Sequence, residues 1–238
     1  MDWNKAKTII IIALIMTNLF LIVNYGFKSE GQDHVSNDQV LAFLEGKNIY
    51  IDMEIPDTHK SMPVLEVERN LPEQAKIDRQ LKAFSNRKVT HGQYQEVSDA
   101  FIKACGLMDA GVVFDGRETL NEQVIIGYKH SRNGVAIEES YMYCIFEDGI
   151  LVDFKRYWLN VIGESSKKAG IISAADALLE FMSKNELEVE IHVQSMEMIY
   201  WLDESIYNST QTASDTALPA WKITYNDGET TRITAIDI

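Results

Sequence analysis

Residues Thr8 to Tyr25 read TIIIIALIMTNLFLIVNY, an uncharged run dominated by isoleucine, leucine, valine, phenylalanine and methionine. As a helix rising about 1.5 Å per residue it is about 27 Å long, which matches a thin hydrocarbon core. Lys5 and Lys7 precede the run, while Glu30 and Asp33 follow soon after Lys28. Positive charge ahead of a span places the N-terminus in the cytoplasm and the body outside. A cleaved signal peptide would have a shorter apolar region, about 7–15 residues, ending in small residues. Here Tyr25, Phe27 and Lys28 flank the end, and no cysteine follows to carry a lipid. The run therefore reads as an uncleaved transmembrane helix over 8–25, with a polar linker over 26–35.

Three polar residues interrupt the span: Thr17, Asn18 and Asn24. Asn18 lies near its middle, where an unpaired amide in lipid is costly. Such side chains commonly hydrogen-bond to another helix, each bond contributing about 0.6–2 kcal/mol. Thr17, Asn18 and Asn24 are thus the candidate contacts with a partner helix; a generic anchor that tolerates polar residues is the alternative.

Charge narrows the function classes. The chain carries a formal −14; the first 28 residues hold Lys5, Lys7 and Lys28 against Asp2, a balance of +2, which leaves −16 for the rest. A body this acidic repels phosphate backbones and anionic headgroups, so nucleic acid is a poor candidate partner and none is expected. A hydrophobic fraction of 46% is enough for a real core. The only two cysteines are Cys105 and Cys144, too few for a disulfide scaffold. Two independent buried thiols are the favoured reading, a single bridge the other.

The body divides into a first mixed helix-and-strand region, 36–162, and a second, 171–238. Ser36 stands three residues before Gln39 at capping-box spacing, and Gly46 is placed to close the helix that follows. Asn48 to Ile55 alternates apolar and polar residues as a strand, and MPVLEVE (Met62 to Glu68) reads as another. Pro72 to Phe84 has helical spacing; Val97, Phe101 and Cys105 recur every four residues before Gly106, a second helix with its stop. Then come strands at Gln123–Lys129, Ile137–Phe146 and Ile150–Leu159, turned by Asn133-Gly134 and Asp148-Gly149. Gly163 to Gly170 reads as a flexible connection. Ser173 caps a helix over Ala174–Ser183, and strands follow at Val189–Leu202, Trp221–Tyr225 and Thr230–Ile236. Helix followed by antiparallel strands therefore occurs twice.

No catalytic constellation stands out. The histidines (His34, His59, His91, His130, His192) are scattered, with no metal-ligand spacing. Ser165 and Lys168 match S-x-x-K, but S-D-N and K-T-G are missing and chance explains the match better. Glu138 and Glu139, adjacent on a strand, point to opposite faces and cannot share a substrate. Asp52 and Glu54 share a face that reads as the wet side. Tyr157-Trp158, Trp201 and Trp221 either line a groove or, as large aromatics on strands more often do, fill the core. The expectation is a protein without catalytic, metal or cofactor residues.

The whole pattern resembles the YycI family, membrane-anchored regulators of the WalK (YycG) sensor-kinase system of low-GC Gram-positive bacteria. The resemblance is carried by Met1-Asp2-Trp3 with its lysine pair and single span, by Glu54-Ile-Pro56 leading to PVLEVE, and by MEMIYWLDES and LPAWKITYNDG in the last third. The last third is also similar to the related regulator YycH. The resemblance implies an α+β body, mostly antiparallel sheets with packed helices, behind a single N-terminal transmembrane helix. It implies a complex with a WalK/YycG-type sensor histidine kinase and a YycH-like regulator in control of cell-wall metabolism. The two cysteines and the polar tract Asp203–Thr216 depart from the family pattern. A cell-envelope module that binds a peptide or wall fragment, by strand addition to a sheet edge, is the alternative. A hydrolase using Ser165 and Lys168 is a third.

Overall fold

The computed structural model describes residues 37–56, 61–90, 92–166, 168–184, 190–202 and 214–236. The expected span 8–25, the linker 26–35, the cap Ser36, and most of the polar tract (203–213) lie outside the described residues. The chain falls into two compact units, Met1–Phe43 and Leu44–Ile238.

Among the described residues there are four helices and a mostly antiparallel ten-stranded sheet, so the body is α+β. Helix α1 (Asn37–Glu45) leads to β1 (Ile49–Ile51), β2 (Ser61–Met62) and β3 (Leu65–Arg69). Helices α2 (Gln74–Phe84) and α3 (Tyr94–Cys105) come next. A meander follows: β4 (Val112–Leu120), β5 (Gln123–Arg132), β6 (Val135–Glu147) and β7 (Ile150–Tyr157). After β8 (Leu159–Glu164) and β9 (Ala169–Gly170) come helix α4 (Ala174–Lys184), β10 (Ile191–Trp201), β11 (Ser214–Tyr225) and β12 (Glu229–Thr234). The sheet runs β4-β5-β6-β10-β11-β3-β8, with β7 beside β6, β12 beside β11 and β1 beside β10; β2 and β9 pair separately.

Two long strands each have three neighbours, two of them along different parts of the strand. The first part of β6 pairs with β10 in parallel through Ala136 and Ile137, and its second part pairs with β7 from Tyr141 to Glu147. Likewise β11 meets β3 over Ser214–Ala217 and β12 over Ala220–Tyr225. Strands from 36–162 and from 171–238 therefore interleave in one sheet.

Several local predictions hold. Gly106 adopts φ +73, and Gly106 and Leu107 donate back to the Lys103 and Ile102 carbonyls, ending α3 as a left-handed glycine cap does. Asn133-Gly134 and Asp148-Gly149 turn with positive φ at both residues, as two-residue hairpins require. Ser173 caps α4: its Oγ accepts the Asp176 N–H at 3.0 Å and donates to the Asp176 carboxylate at 2.6 Å.

Others change. Asn48 (φ 59), not Gly46, takes the left-handed conformation after α1. The strand expected over Asn48–Ile55 shrinks to three residues, because among the described residues β1 pairs with β10 alone. Pro63 splits MPVLEVE into β2 and β3; it has no N–H for a ladder. The strand expected to end at Leu159 breaks at Trp158, and Leu159–Glu164 leaves to pair with β3, so Gly163 belongs to a strand and not to the flexible connection.

The core between α2, α3 and the meander shows why these segments fold as they do. Ile77, Tyr94, Phe101, Ile102 and Cys105 project from the helices onto Val124, Ile126 and Tyr128 of β5 and Met142, Cys144 and Phe146 of β6. Alternate strand residues supply one buried face. Edge-to-face ring pairs at 5.6 Å (Phe84–Phe101), 5.1 Å (Phe101–Phe154) and 4.9 Å (Tyr94–Phe146) fix the helices on the sheet.

Candidate interaction surface

The partner-helix candidates Thr17, Asn18 and Asn24 lie outside the described residues, as do His34, His59 and His91. Among the described residues no helix is long and apolar enough to cross a membrane. The remaining candidates are distributed over the body, and most have an identifiable structural task; Glu54 and Lys168 are exposed and Trp201 is half-buried.

Ser165 ties β8 to the chain entering β3: its Oγ accepts the Val64 N–H at 2.9 Å and its own N–H donates to the Val64 carbonyl. Trp158 and Trp221 are buried, and the Trp221 indole N–H donates to the Ile172 carbonyl at 3.1 Å, so these two fill the core. Tyr157 is half-buried beneath the Arg69 guanidinium, 5.0 Å from its ring centre. His130 stacks on Trp158 at 4.9 Å, and its Nδ1 donates to the Leu159 carbonyl at 2.7 Å, locking the ring in the wall of the core. Cys105 and Cys144 are free, buried thiols. Burial pushes their pKa up to about 11 and about 12, which suppresses the reactive thiolate.

The carboxylates are partnered in ways that spacing did not reveal. Glu138 and Glu139 diverge as expected for neighbours on a strand. The Arg232 guanidinium grips Glu138 at 2.7 and 2.8 Å, and Lys222 reaches it at 3.1 Å. Burial raises the Glu138 pKa, but the bonds from Arg232 and Lys222 outweigh it and hold the carboxyl below its ordinary value. Glu139 accepts the Leu202 N–H at 3.1 Å; burial, chiefly, and the Glu138 charge push its pKa up. Asp52 is on the wet side, as expected, but it also binds His192 Nδ1 at 2.9 Å, while Glu190 binds Nε2 at 3.1 Å. Both carboxylates favour the imidazolium, so the His192 pKa is raised.

Sequence reasoning missed β4. The strand is an outer edge of the large sheet, bonded to β5 and, among the described residues, to nothing on its other side. Nearly every residue from Val113 to Leu120 is exposed, including Val113 (48%), Phe114 (41%) and Leu120 (58%). Without an alternating apolar face the usual strand signal is missing. Its turn, Asn121-Glu122, has positive φ at both residues yet lacks the glycine that marks such hairpins. A bulge between Phe114 and Gly116 leaves Asp115 as an extra residue, and Gly116 has φ +133. Asp115 reaches Lys129 at 3.1 Å, and Arg117 lies 5.1 Å over the Tyr94 ring. Beside the strand, α3 and β4 enclose a groove of about 400 Å³ whose lining includes Ala100, Lys103, Met108, Val112 and Phe114. At its floor the Tyr128 hydroxyl donates to Asp99 at 2.6 Å. An edge strand beside a helix-lined groove offers main-chain groups and a side-chain pocket together.

No protein-family model matches the chain, and no curated protein matches it. Among solved structures it is similar to the Bacillus megaterium YpeB C-terminal domain, with a TM-score of 0.38 and 12% sequence identity. The alignment covers 63% of this chain and 62% of that one, so less than two thirds of the YpeB domain is spanned.

Proposed function

We propose that this protein is a non-enzymatic, membrane-anchored regulator of a sensor histidine kinase of the WalK/YycG type, and a member of the YycI family. The observation that carries the reading is the ordered set of sequence segments that resemble that family. Three of them, PVLEVE, MEMIYWLDES and LPAWKITYNDG, supply β3, β10 and β11, which are neighbouring strands. They are the segments that build the middle of the sheet, as framework motifs of a family would be. The proposed span over 8–25 couples the body to the kinase: a helix that binds one kinase state better than the other shifts the balance by about 1–3 kcal/mol.

A tagged full chain, purified from detergent-solubilised membranes of its host, is expected to bring down a histidine kinase and a YycH-like protein. Replacing 8–25 with an unrelated apolar helix is expected to abolish regulation while keeping the protein in the membrane. Equal regulation by the swapped chain removes the transmembrane contact from the reading. Absence of any kinase in the purified complex removes the reading itself.

A further inference from the structure

We propose that the outer edge of β4 is a docking surface for an extended peptide segment of another protein, which adds to the sheet as a strand and carries basic side chains toward Glu118 and Glu122. The proposal goes beyond the kinase reading and holds whether or not a kinase is the partner.

Three observations converge on it. The first is the edge. A long, solvent-facing edge strand is a template for pairing, and natural proteins blunt it with charged side chains, proline, bulges or a covering element. β4 has charges and one bulge but neither lysine nor proline, and among the described residues nothing covers it. It exposes Val113, Phe114 and Leu120 instead. The second is the groove. The Phe114 ring meets Tyr128 edge-on at 6.0 Å and forms one wall, with Met108 exposed nearby. An added strand places every other side chain on this face, where the groove takes an apolar one.

The third is charge. Asp115 is paired with Lys129, and Arg117, next to Glu118 on the strand, faces the other side and lies over the Tyr94 ring. Glu118 and Glu122 have no ion pair among the described residues. Opposite charges directly across a strand pair are favourable and like charges are not, so this end of the edge selects a basic segment. The bulge at Asp115 confines regular pairing to the stretches on either side, and the longer one, Gly116–Leu120, contains Glu118. It thereby limits indiscriminate addition, including addition of a second copy of this acidic chain.

The test uses the full chain in detergent micelles with three synthetic peptides: alternating valine and lysine over nine residues, the same peptide with glutamate for lysine, and the lysine peptide with two prolines that prevent strand pairing. The lysine peptide is expected to bind and to slow hydrogen exchange by about tenfold or more at the outward-facing amides of 112–120, since those not already bonded to β5 become ladder donors. Phe114→Ser is expected to weaken binding about tenfold by removing the apolar wall. Glu118→Lys is expected to shift the preference toward the glutamate peptide. Melting curves that match the parent establish that both variants are folded, and Glu118→Lys, at an exposed position, keeps the test decisive if Phe114→Ser does not fold. Equal binding of the proline peptide, protection confined to other segments, or outward-facing amides of 112–120 already slow in the free chain would each overturn the proposal.

Discussion

The α3 half and the α4 half of the body start from one pattern, a helix followed by antiparallel strands, and finish differently at their outer strands. In the α4 half, β12 is covered at its end. Ile236 bridges Ile171, the Ile172 N–H donates to the Ala235 carbonyl, and Ile233 and Ala235 are fully buried. In the α3 half, the outer strand β4 keeps almost no residue out of solvent. Both halves have a dry centre, with Phe101 in one and Phe181 and Trp221 in the other. The difference lies in whether the outer strand carries buried apolar residues, and it marks one half as framework and the other as the proposed contact surface.

The largest effect that tests this comparison comes from the two helix anchors. Phe101→Ala and Phe181→Ala each empty a fully buried site and are expected to cost about 3–5 kcal/mol. Because β6 and β10 join the halves in one sheet, either variant is expected to lower a single cooperative denaturant transition. Two transitions, each sensitive to only one of the variants, would mean the halves fold separately.

Next in size is the charged junction between them. Glu138 is on β6, its partners Lys222 and Arg232 on β11 and β12, and its side chain is only 14% exposed. Glu138→Gln leaves both cations undercompensated and is expected to cost about 2 kcal/mol. The folded carboxyl is held below its ordinary value, so its contribution is complete above about pH 4.5 and is lost as pH falls through the folded value. Parent and variant stabilities should therefore differ at pH 7 and converge in acid, as urea titrations at both pH values would read.

The thiols report on the α3 half alone. Cys144→Ala trims one fully buried atom group and is expected to cost about 1–2 kcal/mol. In the native chain Cys105 and Cys144 are expected to resist iodoacetamide at pH 8 and to react promptly in denaturant, because burial keeps both protonated. Fast labelling of the native state would show that α3 opens away from the sheet far more readily than its ring contacts imply.

Much of the framework was legible because its signals are local. A glycine after α3, Asn-Gly and Asp-Gly turns, and a serine three residues before Asp176 each state a backbone geometry by themselves. Helix-then-strands, occurring twice, was also readable. The pairing of β6 with β10 and of β11 with β3 was not, since those partners are far apart in sequence and no local pattern encodes them. β4 was missed for the property that makes it a candidate surface: exposure on both faces erases the alternation by which strands are recognised. The Glu138 cluster was hidden similarly. A buried ion network looks, in sequence, like unrelated charges in an acidic chain.

The smallest expected effect lies at the seam where β1 meets β10. His192 stands between Asp52 and Glu190, stacked on Tyr50 at 5.2 Å, and Asn226 accepts its backbone N–H at 2.9 Å. All three charged groups are well exposed, so solvent screens the pairs and the gain is slight. Its sign is nonetheless fixed. Bonds to Asp52 and Glu190 raise the folded pKa above the ordinary 6.5, so the stabilisation is complete below that value and is lost as pH rises through the raised one. The parent is therefore expected to lose slightly more thermal stability than His192→Gln between pH 6 and pH 8.5. Because β1 is only three residues long and, among the described residues, pairs with β10 alone, the loss should appear first as faster hydrogen exchange at Ile191 and Asp52, whose amides bond across this seam to the Asn48 and Val193 carbonyls. An identical pH profile in parent and variant would show that the clamp contributes nothing and that the ladder alone holds β1.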